Sequence, residues 1–153
     1  MITFRKVEEQ DIPFLAQLRA QTWETEDFWT YRIAAYLDGS SNPQKARKQR
    51  IAFVALQNET IVGFIAGHLT IRFHYDGELE WIDVNENNRN KGIGSELVKV
   101  LAHWFIENEA YNICVDPGND LARKFYRKNG AVDLNNHWMF WEDIRKIKKA
   151  TQC

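Results

Sequence analysis

The spacing of hydrophobic positions divides the chain into strand-like and helix-like segments. Residues 2–7 alternate weakly between apolar and polar and predict a first strand. Two helices are predicted next, one starting at Asp11 and Pro13 and an aromatic-rich one over 28–37. The stretch 38–43 contains glycine, serine and proline, and it therefore predicts a loop that ends the second helix.

The middle of the chain is rich in β-branched and aromatic residues and predicts three consecutive strands. The first two cover 51–56 and 60–70 and form a hairpin, with a turn around Asn58 and Glu59. The third strand covers 78–84. These runs indicate a sheet at the centre of the molecule.

The remaining part of the chain alternates helix and strand. A long amphipathic helix is predicted by apolar residues that recur every three or four positions, namely Ile93, Leu97, Val98, Leu101, Trp104 and Phe105. A strand over 112–115, a helix over 119–129 and a last strand over 137–141 follow. This order predicts an α/β (α+β) fold with a central mixed sheet and helices on both faces.

Composition narrows the class of protein. A chain of 153 residues that is 44% hydrophobic fits one domain, residues 1–153, with a full core. The formal net charge of −1 gives no positive field for nucleic acid, and no apolar run approaches the ~20 residues of a membrane span, so neither is an expected partner. Cys114 and Cys153 suggest neither a disulfide framework nor a metal site, which favours a reducing, cytoplasmic setting.

The segment 84–95 joins a strand to a helix and carries two glycines, Gly92 and Gly94. Glycine allows a close approach between backbone and ligand, and the free N–H groups of a helix start attract anions. Arg89 and Lys91 add positive charge beside it. The spacing fits neither a dinucleotide-binding fingerprint nor a P-loop. A phosphate-binding loop and a plain tight turn before a helix both remain open.

The segment 115–130 has the signals of a second short helix. Asn119 is a suitable N-cap, and Gly130 follows Asn129 as a helix stop. Ala122 and Tyr126 are four residues apart and share one helical face. Considered alone, Tyr126 is either a functional hydroxyl or a core aromatic whose hydroxyl bonds to backbone.

Together the two segments resemble the GNAT superfamily of N-acetyltransferases. Arg89-x-x-Gly92-x-Gly94 matches its coenzyme A loop, and Asn119-x-x-Ala122-x-x-x-Tyr126-x-x-x-Gly130 matches its second motif at every named position. The resemblance implies a mostly antiparallel central sheet across nearly the whole chain. It also implies acetyl-CoA as the cosubstrate and an amine as the acceptor.

The same resemblance implies roles for particular residues. The implied coenzyme A contacts are Ile82, Val84, Arg89, Asn90, Lys91, Gly92, Ile93, Gly94, Ser95, Asn119 and Tyr126. Among them, the backbones of Ile82 and Val84 pair with the pantetheine arm, and Asn119 and Tyr126 lie near the thioester sulfur. Tyr126 is expected to protonate the leaving thiolate. The basic residues Arg123, Lys124 and Arg127 either meet the nucleotide phosphate or form a solvated face.

An amine with a pKa near ~10.4 is about 10³-fold more protonated than neutral at pH 7, so a base is needed. Glu80, with Glu78 as second choice, is the predicted base, because both lie on one face of the fourth strand. The alternative is that both glutamates face solvent. Asp83 is predicted to face the other way. His68 is either a base acting through water or a structural strand histidine.

The acceptor pocket of the resembled family lies near the first two helices. That region supplies acidic and aromatic residues suited to a cationic amine, namely Trp23, Glu24, Glu26, Asp27, Trp29, Tyr31 and Tyr36. For Trp29 and Tyr36 a core position is favoured. A small amine is the leading acceptor, and a protein or peptide amine, or a non-catalytic acyl-CoA sensor, are the alternatives. The aromatic residues near the end of the chain, Trp138, Phe140 and Trp141, are expected to be exposed, which leaves a homodimer open.

Overall fold

A computed structural model describes residues 1–147 and contains one sheet of seven strands with four helices. The strands are β1 Ile2–Lys6, β2 Ala46–Gln57, β3 Thr60–Thr70, β4 Gly77–Val84, β5 Ile113–Val115, β6 Val132–Asp133 and β7 Met139–Trp141. The helices are α1 Ile12–Ala20, α2 Glu26–Asp38, α3 Ile93–Glu107 and α4 Asp120–Lys128. The strand order is β1-β2-β3-β4-β5-β7-β6, and only β4 and β5 pair in parallel. The predicted mixed, mostly antiparallel sheet is confirmed.

Two hydrophobic clusters cover the two faces of the sheet. One packs α1 and α2 against β2, β3 and β4, through residues that include Leu15, Ile33, Val54, Phe64 and Trp81. The other packs α3 and Tyr126 of α4 against the opposite face, through residues that include Ile65, Leu79, Leu97, Leu101 and Met139. The predicted placement of helices on both faces is therefore confirmed.

Side-chain caps fix the starts of two helices. Thr25 accepts a hydrogen bond from the Phe28 N–H at 3.1 Å, so α2 begins two residues before the predicted position. Asn119 accepts one from the Ala122 N–H at 2.8 Å and caps α4 as predicted. α1 ends at Ala20, so Trp23 lies outside it.

The ends of the sheet differ from the prediction in two places. β2 begins at Ala46 rather than at residue 51, because five residues without an apolar pattern extend it beside β3. The predicted last strand over 137–141 begins only at Met139, and β7 pairs with β6, a strand of two exposed residues that carries no sequence pattern.

The aromatic residues near the end of the sheet are less exposed than the sequence suggests. Trp141 is 3% exposed and donates its indole N–H to the Asn129 carbonyl at 2.9 Å. Trp138 and Phe140 are half-buried. The expectation that all three are exposed is therefore wrong, and a homodimer gains no support from them.

The described residues bear on two expectations drawn from composition. Over residues 1–147, no helix has both the length and the apolar character to cross a membrane. Cys114 is a buried free thiol, and burial raises its pKa. Cys153 lies outside the described residues.

Asp11 anchors the start of α1 to β1 and provides a test of local stability. Its carboxylate accepts two hydrogen bonds from Arg5, at 2.7 and 3.0 Å, and one from the Glu8 N–H at 2.7 Å. The hydrogen bond from Arg5 lowers the pKa of Asp11. We expect Asp11→Asn to lower the free energy of unfolding by about 1–3 kcal/mol at pH 7, measured by urea denaturation.

The pH dependence of this effect follows from the lowered pKa. A carboxylate whose folded pKa is depressed stabilises the protein above the unfolded pKa of about 3.9 and loses that contribution as the pH falls through the folded value. The difference between Asp11→Asn and the wild type should therefore shrink below about pH 3.9. A difference that stays constant well below about pH 3.9 contradicts the ion-pair account. Glu9→Gln on the exposed neighbour is the control.

Candidate active site

β4 and β5 pair over a short stretch and then separate. Their parallel register begins with Gly77 opposite Ile113 and ends with Leu79 opposite Val115. β4 continues through residues 80–84, and residues 81–84 still pair with β3 on its other side. Among the described strands, none pairs with that second edge of β4. A wedge-shaped gap therefore opens between β4 and the chain that follows β5.

The backbone groups of Ile82 and Val84 point into this gap. Asn85 donates its N–H to the Val62 carbonyl of β3 at 2.8 Å. Backbone groups of alternate residues point to the same side of an antiparallel strand, so those of Ile82 and Val84 point away from β3. The Arg89 side chain agrees with this direction, because its Nε donates to the Val84 carbonyl at 3.2 Å.

The loop before α3 ends in a helix start that has no side-chain cap. Asn90 and Gly92 adopt left-handed backbone conformations, with φ of 65° and 81°. Gly92 is the N-cap and offers no side chain to the amides of residues 93–95, in contrast to the capped starts of α2 and α4. Free amides at the positive end of a helix dipole bind anions. Arg89 and Lys91 are exposed beside them.

The two glycines of this loop have different structural reasons. A Cβ on Gly92 would meet no heavy atom within 4 Å, so the residue faces open space. A Cβ on Gly94 would lie 3.0 Å from Cε1 of Phe125. Close approach to a ligand is the predicted reason for both glycines, but at Gly94 the packing of α4 against α3 already requires the small residue.

Tyr126 lies beside the gap. It is 4% exposed, and its ring meets the Trp141 ring edge-on with the centroids 6.0 Å apart. Burial raises the pKa of the Tyr126 hydroxyl, and the negative charge of Asp83 raises it further, as does that of Asp116. The hydroxyl is therefore protonated at neutral pH and can donate. Asp83 lies on β4 and Asp116 directly follows β5, so the hydroxyl lies near both sides of the gap.

The basic residues of α4 are largely engaged within the protein. Arg123 pairs with Asp133 at 2.7 Å and donates to the carbonyls of residues 136 and 137. Arg127 pairs with the same carboxylate at 2.8 Å. Lys124 is exposed. These pairs tie α4 to β6 and to the turn between β6 and β7. Of the three basic residues, only Lys124 fully fits the alternative of a solvated helix face.

β4 carries a bulge at Glu80. The register between β3 and β4 shifts by one residue there, and Glu80 has no partner on β3. The extra residue breaks strict alternation, so Glu80 and Trp81 both face the side covered by α1 and α2. The prediction that Asp83 faces away from Glu78 is wrong for this reason. Asp83 shares that face and pairs with Arg19 at 2.9 Å.

Both predicted glutamates point inward around a buried imidazole. Glu78 is 6% exposed, and the Glu80 side chain is 16% exposed, so the solvent-facing alternative is wrong. His68 is fully buried, with Nε2 3.6 Å from Glu78 Oε1 and Nδ1 3.8 Å from Glu80 Oε1. The Tyr36 hydroxyl lies 2.8 Å from Nδ1. Arg72 donates to Glu78 at 3.0 Å.

Burial changes the ionisation of this cluster. It raises the pKa of Glu80, and the charge of Glu78 raises it further. It also raises the pKa of Tyr36 well above its usual range, with the charge of Glu80 adding to the effect. Glu80 therefore takes up a proton closer to neutral pH than an exposed glutamate does, and Tyr36 keeps its phenolic proton.

A pocket opens between α2, a loop and the bulge of β4. It is lined by Arg32, Tyr36, Ser41, Asn42, Pro43, Gln44, Glu80 and Trp81. Of the predicted acceptor residues only Tyr36 lines this pocket, and Trp29 is in the core as favoured. The exposed acidic residues of the α1–α2 region lie elsewhere. The sequence gives no sign that Arg32 or the loop residues 41–44 line a site, because only the fold brings them beside β4.

A comparison with known families identifies the class of protein to which the chain belongs. Residues 13–131 match the model described as the Acetyltransferase (GNAT) family. The matched part contains both sequence motifs. The chain therefore belongs to the GNAT acetyltransferase family, and the predicted resemblance is confirmed. No curated protein sequence matches the chain.

Solved structures share the fold over nearly the whole chain. A GNAT-family protein from Desulfovibrio desulfuricans is 14% identical, with 94% of this chain and 99% of the other covered and a TM-score of 0.75. The PaiA N-acetyltransferase of Thermoplasma acidophilum, solved with coenzyme A, is 16% identical, with 92% and 98% covered and a TM-score of 0.67. An aminoglycoside 6′-N-acetyltransferase, also solved with coenzyme A, is 19% identical, with 93% and 97% covered and a TM-score of 0.68.

Proposed function

We propose that residues 1–153 form one cytoplasmic N-acetyltransferase domain that transfers an acetyl group from acetyl-CoA to a primary amine of a small molecule. The observation that carries this proposal is the gap beside β4, which leads to the uncapped start of α3. The two relatives solved with coenzyme A support the choice of donor. One of them is an aminoglycoside acetyltransferase, which supports a small-molecule acceptor.

The donor site is built from backbone groups. Ile82 and Val84 pair with the amides of the pantetheine arm, as a further strand would. The amides of residues 93–95 hold the pyrophosphate, and Arg89 and Lys91 add positive charge. Each charge-assisted hydrogen bond to phosphate contributes about 1.5–3 kcal/mol. Acetyl-CoA supplies the acetyl group as a thioester.

The thioester end of the site lies near the start of α4. The Tyr126 hydroxyl donates its proton to the departing sulfur, and Asn119 lies close by at the helix start. A thiol pKa near ~8.5 makes the leaving group only moderately basic. The raised pKa of Tyr126 makes it a weak acid, so its hydroxyl first stabilises the developing thiolate by a hydrogen bond and transfers the proton as the sulfur leaves.

Glu80 takes the proton from the incoming ammonium, directly or through one water. It lines the acceptor pocket, and its raised pKa brings it nearer to the pH at which a base is most effective. Glu78 is the second choice, because Arg72 already holds its carboxylate. The freed amine attacks the thioester carbon, so a C–N bond forms and the C–S bond breaks. The thiolate receives a proton from Tyr126, and the proton that the attacking nitrogen loses as it becomes an amide restores the phenol through water.

The test is thiol release from acetyl-CoA, followed over a panel of amines. The panel contains simple primary amines, polyamines, an aminoglycoside, and peptides with a free N-terminus or a lysine. Turnover of a small amine supports the proposal, and turnover of peptides alone supports the protein-amine alternative. Binding of acetyl-CoA without turnover of any member supports a non-catalytic sensor and contradicts the proposal.

Gly92→Val is expected to weaken acetyl-CoA binding by more than about tenfold, or ~1.4 kcal/mol. The residue has φ of 81° and faces open space beside the free amides of α3. A branched side chain there both occupies that space and disfavours the left-handed backbone. Calorimetry with acetyl-CoA measures the effect.

Gly39 provides a matched control for the backbone strain. It has φ of 82° at the end of α2, and a Cβ there also meets nothing within 4 Å. Gly39→Val therefore imposes the same conformational cost away from the start of α3, and its affinity for acetyl-CoA should stay close to that of the wild type. Equal affinities in folded Gly92→Val and wild-type protein would contradict the donor site.

A further inference from the structure

His68 lies at the centre of a row of side chains that crosses four strands. The pairing register places Arg50, His68, Glu78 and Cys114 opposite one another on β2, β3, β4 and β5. His68 is 0% exposed, and its Nε2 has no hydrogen-bond partner in the part of the chain that the structure describes. A buried polar atom without a partner is costly, and its presence in a native structure calls for a reason.

The groups around the ring approach it from both sides. Glu80 and the Tyr36 hydroxyl lie at Nδ1, at 3.8 and 2.8 Å. Glu78 lies at Nε2, at 3.6 Å. Because the pKa of Tyr36 is raised, its hydroxyl keeps its proton and can donate to Nδ1, and the matching tautomer carries its ring hydrogen on Nε2, facing Glu78.

A metal ion is the other ligand that this cluster suggests, since ligand atoms of His68, Glu78 and Glu80 lie within 4.8 Å of one another. The two carboxylates, however, approach different ring nitrogens, and one ion binds only one nitrogen. Arg72 also lies 3.0 Å from Glu78, so a fixed cation already neutralises part of the negative charge. The arrangement therefore fits proton transfer better than metal binding.

We infer that His68 is a positioning residue that stores the proton which Glu80 removes from the acceptor ammonium. The inference rests on the proposed function. The ammonium N–H bond breaks as Glu80 gains a proton. The Tyr36 hydroxyl, 2.8 Å from Nδ1, then takes this proton from Glu80 as it gives its own to Nδ1 of His68, so that Tyr36 stays neutral and accepts a hydrogen bond from the new N–H. Glu80 is a carboxylate again, and the imidazolium lies between two carboxylates. The proton returns through Glu80 to solvent after the product leaves, and no electrons are exchanged.

Four arginine side chains and one thiol surround the cluster, and the arginines offset its negative charge. They are the guanidinium groups of Arg19, Arg32, Arg50 and Arg72, on α1, α2, β2 and the turn before β4, and the neutral thiol of Cys114 on β5. His68 lowers the pKa of Glu80 most, followed by Arg32 and Arg19, against the larger effect of burial. These cations balance the two carboxylates before the proton arrives, and the Glu78 carboxylate at Nε2 pairs with the imidazolium afterwards.

The test is His68→Gln, which keeps a polar side chain but cannot hold the second proton. We expect kcat at pH 7 to fall by about 10- to 100-fold, with the KM of the amine within about twofold of wild type. Activity should recover at high pH, where the free amine is abundant. Calorimetry should show unchanged acetyl-CoA affinity, which separates this effect from damage to the donor site.

His103→Gln is the matched control, because His103 lies 3.7 Å from Glu107 in a similar pair on the exposed face of α3. If His68→Gln does not fold, Tyr36→Phe replaces it, since the loss of the hydroxyl at Nδ1 should lower kcat and shift its pH dependence in the same direction. Wild-type kcat and pH profile in the folded variant would overturn the inference. So would loss of wild-type activity on EDTA treatment with recovery on adding Zn²⁺, since that result indicates a metal site. Absence of turnover in the wild type would instead count against the proposed function.

Discussion

Tyr126→Phe is expected to lower kcat by about 10²–10³-fold while leaving the KM for acetyl-CoA within about twofold. The substitution keeps the ring that packs on Trp141 and removes only the hydroxyl beside the gap. Because the phenol of the wild type is protonated at neutral pH, the variant loses a proton donor rather than a nucleophile. Steady-state thiol release with the best amine of the panel measures the effect.

Tyr111→Phe serves as the control for this variant. Tyr111 is half-buried, and its ring packs under the Arg145 guanidinium, away from the gap. Loss of its hydroxyl should leave kcat unchanged. If Tyr126→Phe keeps its fold and turns over within about twofold of the wild type, Tyr126 is a core aromatic and the assigned role is wrong.

Glu80→Gln is expected to lower kcat/KM at pH 7 by about 10²–10³-fold and to regain activity at high pH. The wild-type base is lost as the pH falls through the raised pKa of Glu80, so the acid limb of its pH profile should lie above the ordinary glutamate value of about 4.3. In the variant this limb should disappear. Activity should instead rise toward the amine pKa near ~10.4, where the acceptor needs no base.

Glu78→Gln and Glu107→Gln complete the comparison. Glu78 is the second candidate base, so a larger loss there than at Glu80 would reverse the two assignments. Glu107 is an exposed glutamate on α3, and its replacement should leave kcat/KM unchanged. If both the Glu80 and the Glu78 variant match the wild-type activity at every pH, neither glutamate is the base. His68 or bulk water would then be the proton acceptor.

Local signals in the sequence predicted the elements that carry the donor site. The hydrophobic spacing of α3 and the cap at Asn119 depend on residues within a few positions of one another, and both appear in the structure. The two sequence motifs identified the family for the same reason, because each lies within one short segment of the chain. The sequence predicted close approach to a ligand at Gly94 but not the packing against Phe125, because that contact joins two helices that are distant in the chain.

The acceptor side could not be predicted in the same way. Tyr36 and His68 are 32 positions apart, and no spacing rule pairs a helix residue with a strand residue. The bulge at Glu80 has no residue signature, since its position depends on the register with β3. Strict alternation therefore placed Asp83 on the wrong face, and the buried cluster around His68 appeared only in the fold.

The bulge also determines how β4 tolerates changes in length. Glu80 is the extra residue of the strand, because Leu79 pairs with Gly67 and Trp81 pairs with the next residue of β3, Ala66. Deletion of Glu80 would therefore restore strict alternation and leave every later residue on its present face, although it would remove the proposed base. Deletion of a residue after the bulge, such as Ile82, would instead move Asp83 away from Arg19 to the face covered by α3. We therefore infer that β4 accepts a change of length at the bulge but not in the residues that follow it.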